Sequence, residues 1–411
     1  PGCALPQLAA AALKAKMKAI ADEANYVFGD LWVDKTLQLN QILNLNHGVM
    51  LVGPSGSGKS SSWRTLLAAL EALEGVEGCS YVIDAKAISK DELYGFLDAT
   101  TREWTDGIFT GILRRIIDNV RGEAAKRHWI VFDGDVDPEW VENMNSLLDD
   151  NKLLTLPNGE RLALPPNVRI MFEVQDLKYA TLATVSRTGM VWYSEDTLTT
   201  PMILQHNLLK MRNVVVPGEY DESDLPGYAG VDDETGAEVS PALMVQREVE
   251  AALAPYFADG SMVLQALDKA AGLEQVMDHS RLRLLGAMFS ILNMGIAQVH
   301  EYNATHYEAP MGGSRLADFM RRKLVLAVVW GFSGSCKIAV REEFSHWLRD
   351  ITDIDLPEKP VIDYEVSVVT GGWELWTNQV PVIDVDAESM GTAVIPTLDT
   401  VRHVDILYAW L

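Results

Sequence analysis

Short apolar runs alternate with longer amphipathic segments over the first 200 residues of the chain. Five runs have the length and composition of buried strands: 49–52, 81–83, 129–132, 168–174 and 190–193. Apolar residues recur at helical spacing in the segments around them: 6–25, 32–45, 60–73, 139–148, and 89–118 with interruptions at Gly95 and Gly107. Buried strands that alternate with helices predict an α/β fold with a mainly parallel sheet flanked by helices.

The pattern changes near residue 200, where strand-like runs give way to helical periodicity. Residues 201–212 and most of 241–353 repeat their apolar positions at helical spacing. Further along, residues 361–366 and the Trp373/Trp376 pair predict an extended or hairpin connector. We therefore expect a second, mainly helical domain followed by a short β connector.

A strongly acidic segment interrupts the helical region. Residues 219–238 contain eight acidic residues and no Lys or Arg, which predicts a solvated loop; an acidic docking segment is the functional alternative. The whole chain carries 34 basic and 58 acidic residues, for a net charge of −24. Because phosphate neutralisation needs clustered basic side chains, this balance argues against a nucleic-acid partner.

The length of 411 residues is enough for two or three domains with ordinary cores. Cys3, Cys79 and Cys336 lie far apart without metal-ligand spacing, which predicts a reducing compartment. The longest apolar run, 324–332, is too short to span a bilayer, so we expect no membrane insertion. Because an apolar-periodic helix is still under way at Leu411, we expect the chain to be part of a longer protein.

The clearest chemical signal follows the first predicted strand and opens a helix. It has the pattern G-x-x-x-x-G-K-[ST], and its residues are Gly53, Pro54, Ser55, Gly56, Ser57, Gly58, Lys59 and Ser60, with Ser61 next. Glycines let backbone N–H groups turn inward around phosphate oxygens, and the helix N-terminus adds its positive end. Lys59 is predicted to reach the β- and γ-phosphates of ATP, and the Ser60 hydroxyl to bind Mg²⁺.

A second part of the same site is expected at the end of the third predicted strand. Asp133 follows the apolar run 129–132, and a strand-end carboxylate beside a phosphate loop holds Mg²⁺ through water. Its alternative role is to cap the next helix. We therefore predict ATP and Mg²⁺ as ligands, with Ser60 and Asp133 at the metal.

Several long segments resemble one family closely, and they are GPSGSGKSSSWRTLL at 53–67, residues 84–109, residues 129–177 and YATLATVSRTGMVW at 179–192. The chain resembles the second AAA+ module of cytoplasmic dynein heavy chains. The resemblance implies an AAA+ type P-loop NTPase followed by a mainly helical lid domain and a short β or extended connector.

The expected organisation follows from the resemblance together with the periodicity. The segments are a lead-in helix from a preceding module at 1–27 and a large α/β nucleotide-binding domain at 28–200. They continue with a helical lid at 201–356 that has an acidic loop at 218–239, a connector at 357–395 and the first helix of the following module at 396–411.

The resemblance also implies partners and two further site residues. The family forms a six-module ring in one polypeptide that walks on microtubules in the cytoplasm, with intermediate chains, light chains and dynactin as partners of the whole complex. Arg187 matches the arginine that acts in trans on the preceding module's nucleotide; a local ion pair, for example with Glu195, is the alternative. Arg283, near Arg281, is a candidate for a lid arginine on the phosphates, or is a solvated helix residue.

Two positions depart from the pattern of hydrolysing AAA+ modules. The residue after the strand-end Asp is normally Glu, which polarises the attacking water, and here it is Gly134. A displaced carboxylate, such as Asp135 or the more distant Asp137 and Glu142, is the alternative base. A strand-end Asn that orients this water is replaced by Gln175, which either contacts phosphate or caps the strand. Three functions follow: a regulatory module that binds ATP and hydrolyses it poorly, an active AAA+ remodelling ATPase, or a structural spacer. Gly134 favours the first over the second, and intact Lys59, Ser60 and Asp133 disfavour the third.

Overall fold

A computed structural model of the chain describes residues 4–220, 225, 230–231, 238–381 and 396–409. The fold divides into two compact units, residues 1–202 and 203–411. The predicted acidic loop at 218–239 and the second half of the predicted connector lie largely outside the described residues.

The first unit contains a parallel sheet and the helices that cover its two faces. Its helices are α1 Ala4–Glu23, α2 Asp30–Leu45, α3 Lys59–Glu74, α4 Lys90–Tyr94, α5 Ile108–Ile117, α6 Pro138–Val141, α7 Asn145–Leu148 and α8 Leu182–Val185. Its strands are β1 Gly48–Val52, β2 Gly78–Ile83, β3 Gly95–Leu97, β4 Trp104–Asp106, β5 Arg127–Asp133, β6 Leu153–Thr155, β7 Arg161–Ala163, β8 Val168–Val174 and β9 Gly189–Trp192.

Five of these strands form the parallel sheet, in the order β2-β5-β8-β1-β9. In the three central strands, β1, β5 and β8, alternate residues enter two separate cores. Met50, Ile130 and Phe172 belong to one core, while Leu51 and Val131 belong to the core that α2 and α3 cover. Burial on both faces explains why these strands are apolar without alternation, and it confirms the predicted α/β fold.

Two short antiparallel hairpins lie outside the sheet. β3 pairs with β4 in the region for which helical stretches were predicted, and β6 pairs with β7. The helical stretches were predicted with interruptions at Gly95 and Gly107, and the β3–β4 hairpin begins at Gly95 and ends before Gly107. Three-residue strands carry too little periodicity for β6 and β7 to be recognised from sequence.

The second unit is mainly helical. Its elements are α9 Thr200–Asn213, which begins at the end of the first unit, then β10 Gly230–Val231, β11 Glu238–Val239, α10 Pro241–Leu253, α11 Met262–Ala270, α12 Arg281–Thr305, α13 Gly313–Ser333, α14 Ile338–Ile351, β12 Tyr364–Val366, β13 Trp373–Leu375 and α15 Leu398–Tyr408. β12 and β13 form the antiparallel hairpin predicted for the connector.

The core of this unit is built on α12 and α13. α12 has the length and apolar composition of a membrane-crossing helix, but half of its most apolar window is buried inside the protein. Leu285 and Leu292 of α12 lie with Leu324 and Val328 of α13 in one core. A central core helix passes the same composition test, so α12 by itself does not indicate a membrane.

Candidate nucleotide-binding site

The loop between β1 and α3 is shaped by close contacts that only glycine permits. A Cβ atom on Gly53 would lie 2.1 Å from the carbonyl oxygen of Tyr193, and one on Gly58 would lie 2.8 Å from Nε1 of Trp32. Gly58 also has a φ of +88°. The Trp32 indole N–H donates to the carbonyl of Gly58 at 3.1 Å, which fixes the loop on α2.

Lys59 lies across this loop. Its Nζ donates to the carbonyl oxygens of Gly53 at 2.7 Å and Pro54 at 2.9 Å. Burial lowers the pKa of Lys59, and the negative charges of Glu173 and Asp133 act in the opposite direction. The ammonium group is therefore at the loop, beside two carboxylates, as a phosphate-binding lysine requires.

The loop fits a phosphate group by two further observations. The Ser57 hydroxyl is buried and has no hydrogen-bond partner among the described residues, so it is a polar group left for a ligand. The loop opens directly into α3, a helix of 16 residues whose first backbone N–H groups have no partner within the helix. Backbone donors and a helix N-terminus together form an anion site.

The predicted metal residues lie beside a carboxylate that the sequence did not reveal. Ser60 Oγ donates to Glu173 Oε2 at 3.0 Å, and Trp63 Nε1 donates to Oε1 of the same carboxylate at 3.1 Å. Asp133 on β5 pairs in register with Glu173 on β8. Burial raises the pKa of Glu173, whose side chain is held between strand and helix. Glu173 is the one acidic residue in the predicted strand 168–174, whose other charged residue is Arg169, and that acidic position was the signal in the sequence.

Gly134 lies immediately after Asp133, and its φ is +128°. Its N–H donates to the carbonyl of Glu173 at 3.0 Å, which continues the contact between the two strands. Three nearby carboxylates have contacts of their own: Asp135 pairs with Lys86 at 2.9 Å, and Asp137 accepts from the N–H of Glu139 as the cap of α6. Asp84 Oδ1 accepts from the backbone N–H groups of Lys86 at 3.0 Å and Ala87 at 3.3 Å.

Gln175 follows the last residue of β8 and is exposed. Its position one residue past the strand end, on the strand beside β5, is the one expected from the sequence.

Arg187 lies at the opposite end of the sheet from the loop. Gly189 of β9 pairs with Val49 near the start of β1, whereas Gly53 follows the end of β1. Arg187 lies in the turn that precedes β9, and four residues of strand at ~3.3 Å each, or about 13 Å, separate the level of Gly189 from that of Gly53. A side chain cannot bridge this span, so Arg187 does not serve the loop of its own unit.

The local contacts of Arg187 differ from the alternative considered in sequence. Its Nη1 donates to the carbonyl of Ala183 at 2.6 Å, and its Nε lies 3.8 Å from Asp149 Oδ2. The partly exposed carboxylate beside it is therefore Asp149 instead of Glu195.

Arg283 lies in the second unit, in the first turn of α12. Ser280 caps this helix, and Arg283 Nη1 donates to the carbonyl of Asp278 at 2.6 Å. Arg281 lies 3.5 Å from Asp268. Both arginines are at the exposed helix start that the periodicity predicted, and the role of Arg283 toward phosphate stays a prediction.

The fold brings Cys79 together with Glu123 and His128, which the cysteine spacing did not suggest, with ligand atoms within 4.8 Å of one another. The His128 ring bonds to the carbonyl of Glu123, and the ammonium of Lys126 lies 3.1 Å from Glu77 and 3.9 Å from Glu123. The ammonium group of Lys126 already lies beside both carboxylates, so the group is an ion-pair cluster of the protein itself.

Comparisons with known proteins agree with this geometry. Residues 48–188 match the family described as "AAA domain (dynein-related subfamily)", residues 253–378 match "Dynein heavy chain AAA lid domain", and residues 1–60 match "Hydrolytic ATP binding site of dynein motor region".

Curated relatives named "Dynein heavy chain, cytoplasmic" align along nearly the whole chain. The protein of Drosophila melanogaster is 53% identical over 97% of the chain, and that of Dictyostelium discoideum is 47% identical over 100% of it. The chain spans only 9% of the length of each of these two relatives. The chain therefore belongs to the dynein heavy chain family, within which it is an AAA module.

Proposed function

We propose that this chain is the second AAA+ module of a dynein ring, and that it holds ATP with Mg²⁺ without hydrolysing it at a useful rate. The observation that carries the proposal is a glycine loop that opens into a helix, next to a strand end at which the residue after Asp133 has no carboxylate. Lys59, Ser60 and Asp133 supply the groups that bind, whereas position 134 supplies only backbone.

The binding roles follow from the contacts of the residues. Lys59 already lies on the loop and would move onto the phosphates; Ser60 and Asp133 would hold Mg²⁺, which neutralises phosphate charge when it is bound. Bound ligand stabilises the folded state by mass action, so a nucleotide that is not turned over acts as a lasting stabiliser of the module.

The alternative of an active hydrolase needs a carboxylate within hydrogen-bond reach of the attacking water. Asp135 and Asp137 have other contacts, as described above. The matched family whose description includes a hydrolytic site ends at residue 60, before Asp133 and Gly134, so it does not bear on the position of a base.

The function of the larger protein follows from the relatives. We infer that this module belongs to an ATP-driven, minus-end-directed microtubule motor in the cytoplasm, with neighbouring AAA+ modules of the same polypeptide as its direct partners. In that assembly Arg187 serves the nucleotide of the preceding module, in agreement with its distance from the loop of its own unit.

Nucleotide content of the intact protein tests the proposal. After repeated turnover and gel filtration, the wild-type protein should keep ATP at this site, and Lys59→Ala should lower the bound nucleotide by about one equivalent per chain. Lys90→Ala, which removes an exposed lysine of α4, is the matched control. Equal nucleotide content in wild type and Lys59→Ala, or ADP that exchanges at the turnover rate, contradicts the proposal.

A further inference from the structure

The carboxylate of Glu173 is more buried than a carboxylate ordinarily is, with 6% of its surface exposed. It lies on β8 between two groups of α3, and each of its oxygens accepts one hydrogen bond, from Ser60 Oγ at 3.0 Å and from Trp63 Nε1 at 3.1 Å. Burying a carboxylate costs several kcal/mol unless its surroundings compensate. A fully engaged acidic side chain at this place therefore requires an explanation beyond packing.

We propose that Glu173 is a positioning residue for the magnesium ion: it accepts the hydrogen of the Ser60 hydroxyl, so that the lone pairs of Oγ are left to face the metal. The inference rests on the proposed function, because it concerns the ion that accompanies the nucleotide. A hydroxyl is one donor and two acceptors, and it serves as a metal ligand through an acceptor. The direction of its hydrogen therefore decides whether Ser60 attracts or repels a cation.

Trp63 makes the arrangement rigid. Its indole is a donor only, so it holds Oε1 of Glu173 and leaves Oε2 for Ser60. The Trp63 side chain is itself buried, in the core between α3 and the sheet. Residues that hydrogen-bond a metal ligand without touching the metal orient that ligand and alter the affinity of the site for the metal.

The charge of Glu173 has a second effect. Glu173 and Asp133 occupy paired positions on adjacent strands, and both lie near enough to Lys59 to act on its charge. Two carboxylates beside a phosphate site repel metal-free nucleotide and favour the complex with a divalent cation. The site is thus expected to retain nucleotide only when Mg²⁺ is present.

The substitution Glu173→Gln tests the hydrogen bond to Ser60 and the negative charge without changing the size of the side chain. An amide has one acceptor oxygen, and if that oxygen keeps the bond to Trp63, the NH₂ group donates to Ser60. The Ser60 hydrogen must then point elsewhere, toward the side where a cation would bind. The variant keeps the shape of the side chain and reverses the polarity of one hydrogen bond.

The test is hydrogen exchange of the intact protein, read on peptides that cover residues 53–67, with fixed ATP and a titration of MgCl₂. Exchange of these peptides reports this site alone. In wild type, protection should rise with Mg²⁺; in Glu173→Gln the midpoint Mg²⁺ concentration should rise roughly 10-fold, as for loss of other such partners. Glu195→Gln removes an exposed carboxylate of the same unit and should leave the midpoint unchanged.

The outcomes separate the inference from the proposed function. A wild-type peptide that ATP and Mg²⁺ do not protect overturns the proposed function. Protection in wild type with the same midpoint in Glu173→Gln overturns the role of Glu173 alone. If Glu173→Gln loses protection across the whole sheet without nucleotide, Trp63→Phe decides: a raised Mg²⁺ midpoint supports the inference, and an unchanged midpoint overturns it.

Discussion

At the scale of one residue, Gly134 differs from a catalytic glutamate both in its side chain and in its backbone conformation. It lacks the carboxylate that a hydrolysing site needs, and its backbone lies where L side chains are rare, at a φ of +128°. A Cβ atom there would meet only Asp84 Oδ1, at 3.9 Å, so the space is open and the restriction is in the backbone. Both the side chain and the backbone conformation at position 134 therefore disfavour a catalytic carboxylate there.

Gly134→Glu should lower the stability of the first unit and still give little hydrolysis. Adopting a positive φ costs a non-glycine residue about 1–2 kcal/mol, and relaxing it would move the new carboxylate away from its place. We expect the free energy of unfolding to fall by about that amount, measured by denaturant titration, with ATP turnover at this site unchanged within a few-fold.

Gly111→Ala is the matched control for stability, because Gly111 lies inside α5 with ordinary space around it. This variant should raise the free energy of unfolding by roughly 0.5–1 kcal/mol. A large increase in hydrolysis in Gly134→Glu would show that the base was the only missing part.

At the scale of elements, the sequence predicted those that repeat a strong pattern. The three central strands of the sheet are apolar on both faces, and α3 begins at Lys59 where the glycine loop ends. The β6–β7 hairpin was missed because three residues carry no readable period, whereas the β3–β4 hairpin lies between Gly95 and Gly107, the two interruptions that the sequence marked. Glu173 was missed for another reason: its function depends on the pairing of β5 with β8 and on the approach of α3, and neither contact is local in sequence.

Within the helical unit, α12 contains a histidine whose burial predicts acid sensitivity. Burial lowers the pKa of His300 to about 4 from 6.5. Gln246 Oε1 accepts from the N–H of Val216, so it also accepts from His300 Nε2, at 3.3 Å. The other ring nitrogen, Nδ1, is buried without a partner in the described part of the chain, and protonation would place an unpaired N–H there.

The pH dependence follows from the sign of this shift. Because the folded pKa is below the unfolded value, the fold favours neutral His300; its stability is complete above about pH 6.5 and falls as pH drops toward 4. The loss is on the order of 3 kcal/mol. Urea titrations of the second unit's transition at several pH values should show this loss in wild type and a reduced slope in His300→Gln. Parallel pH profiles would contradict the prediction.

At the scale of the whole molecule, Arg187 should act on another module. Arg187→Ala should leave nucleotide binding at residues 53–60 intact and lower hydrolysis at the preceding module by about 10³-fold, as for other arginines supplied in trans. Arg187→Lys should restore only part of the hydrolysis rate at the preceding module, because an ammonium group lacks the planar, forked donors of a guanidinium. The measurement is microtubule-stimulated ATP turnover of the intact motor, with nucleotide content at this module as a second readout.

Asp149→Asn is the control for a local role, because it removes the carboxylate 3.8 Å from Arg187 and keeps the guanidinium. Turnover close to wild type in Asp149→Asn, together with the loss in Arg187→Ala, assigns the effect to the arginine itself. Turnover within a few-fold of wild type in both Arg187 variants would make Arg187 a structural residue.

Arg187 and the phosphate loop lie at opposite ends of β1, separated by about 13 Å or more along the strand, and this separation has a consequence for assembly. With the proposed role of Arg187, a module binds nucleotide at one edge and supplies an arginine at the other, so contacts between neighbouring modules join unlike surfaces. Such contacts cannot close into a two-fold dimer; they close only as a ring. The order of modules around such a ring has a direction, because each module contacts one neighbour through its phosphate loop and the other through its arginine. A change in one module therefore reaches its two neighbours through different groups.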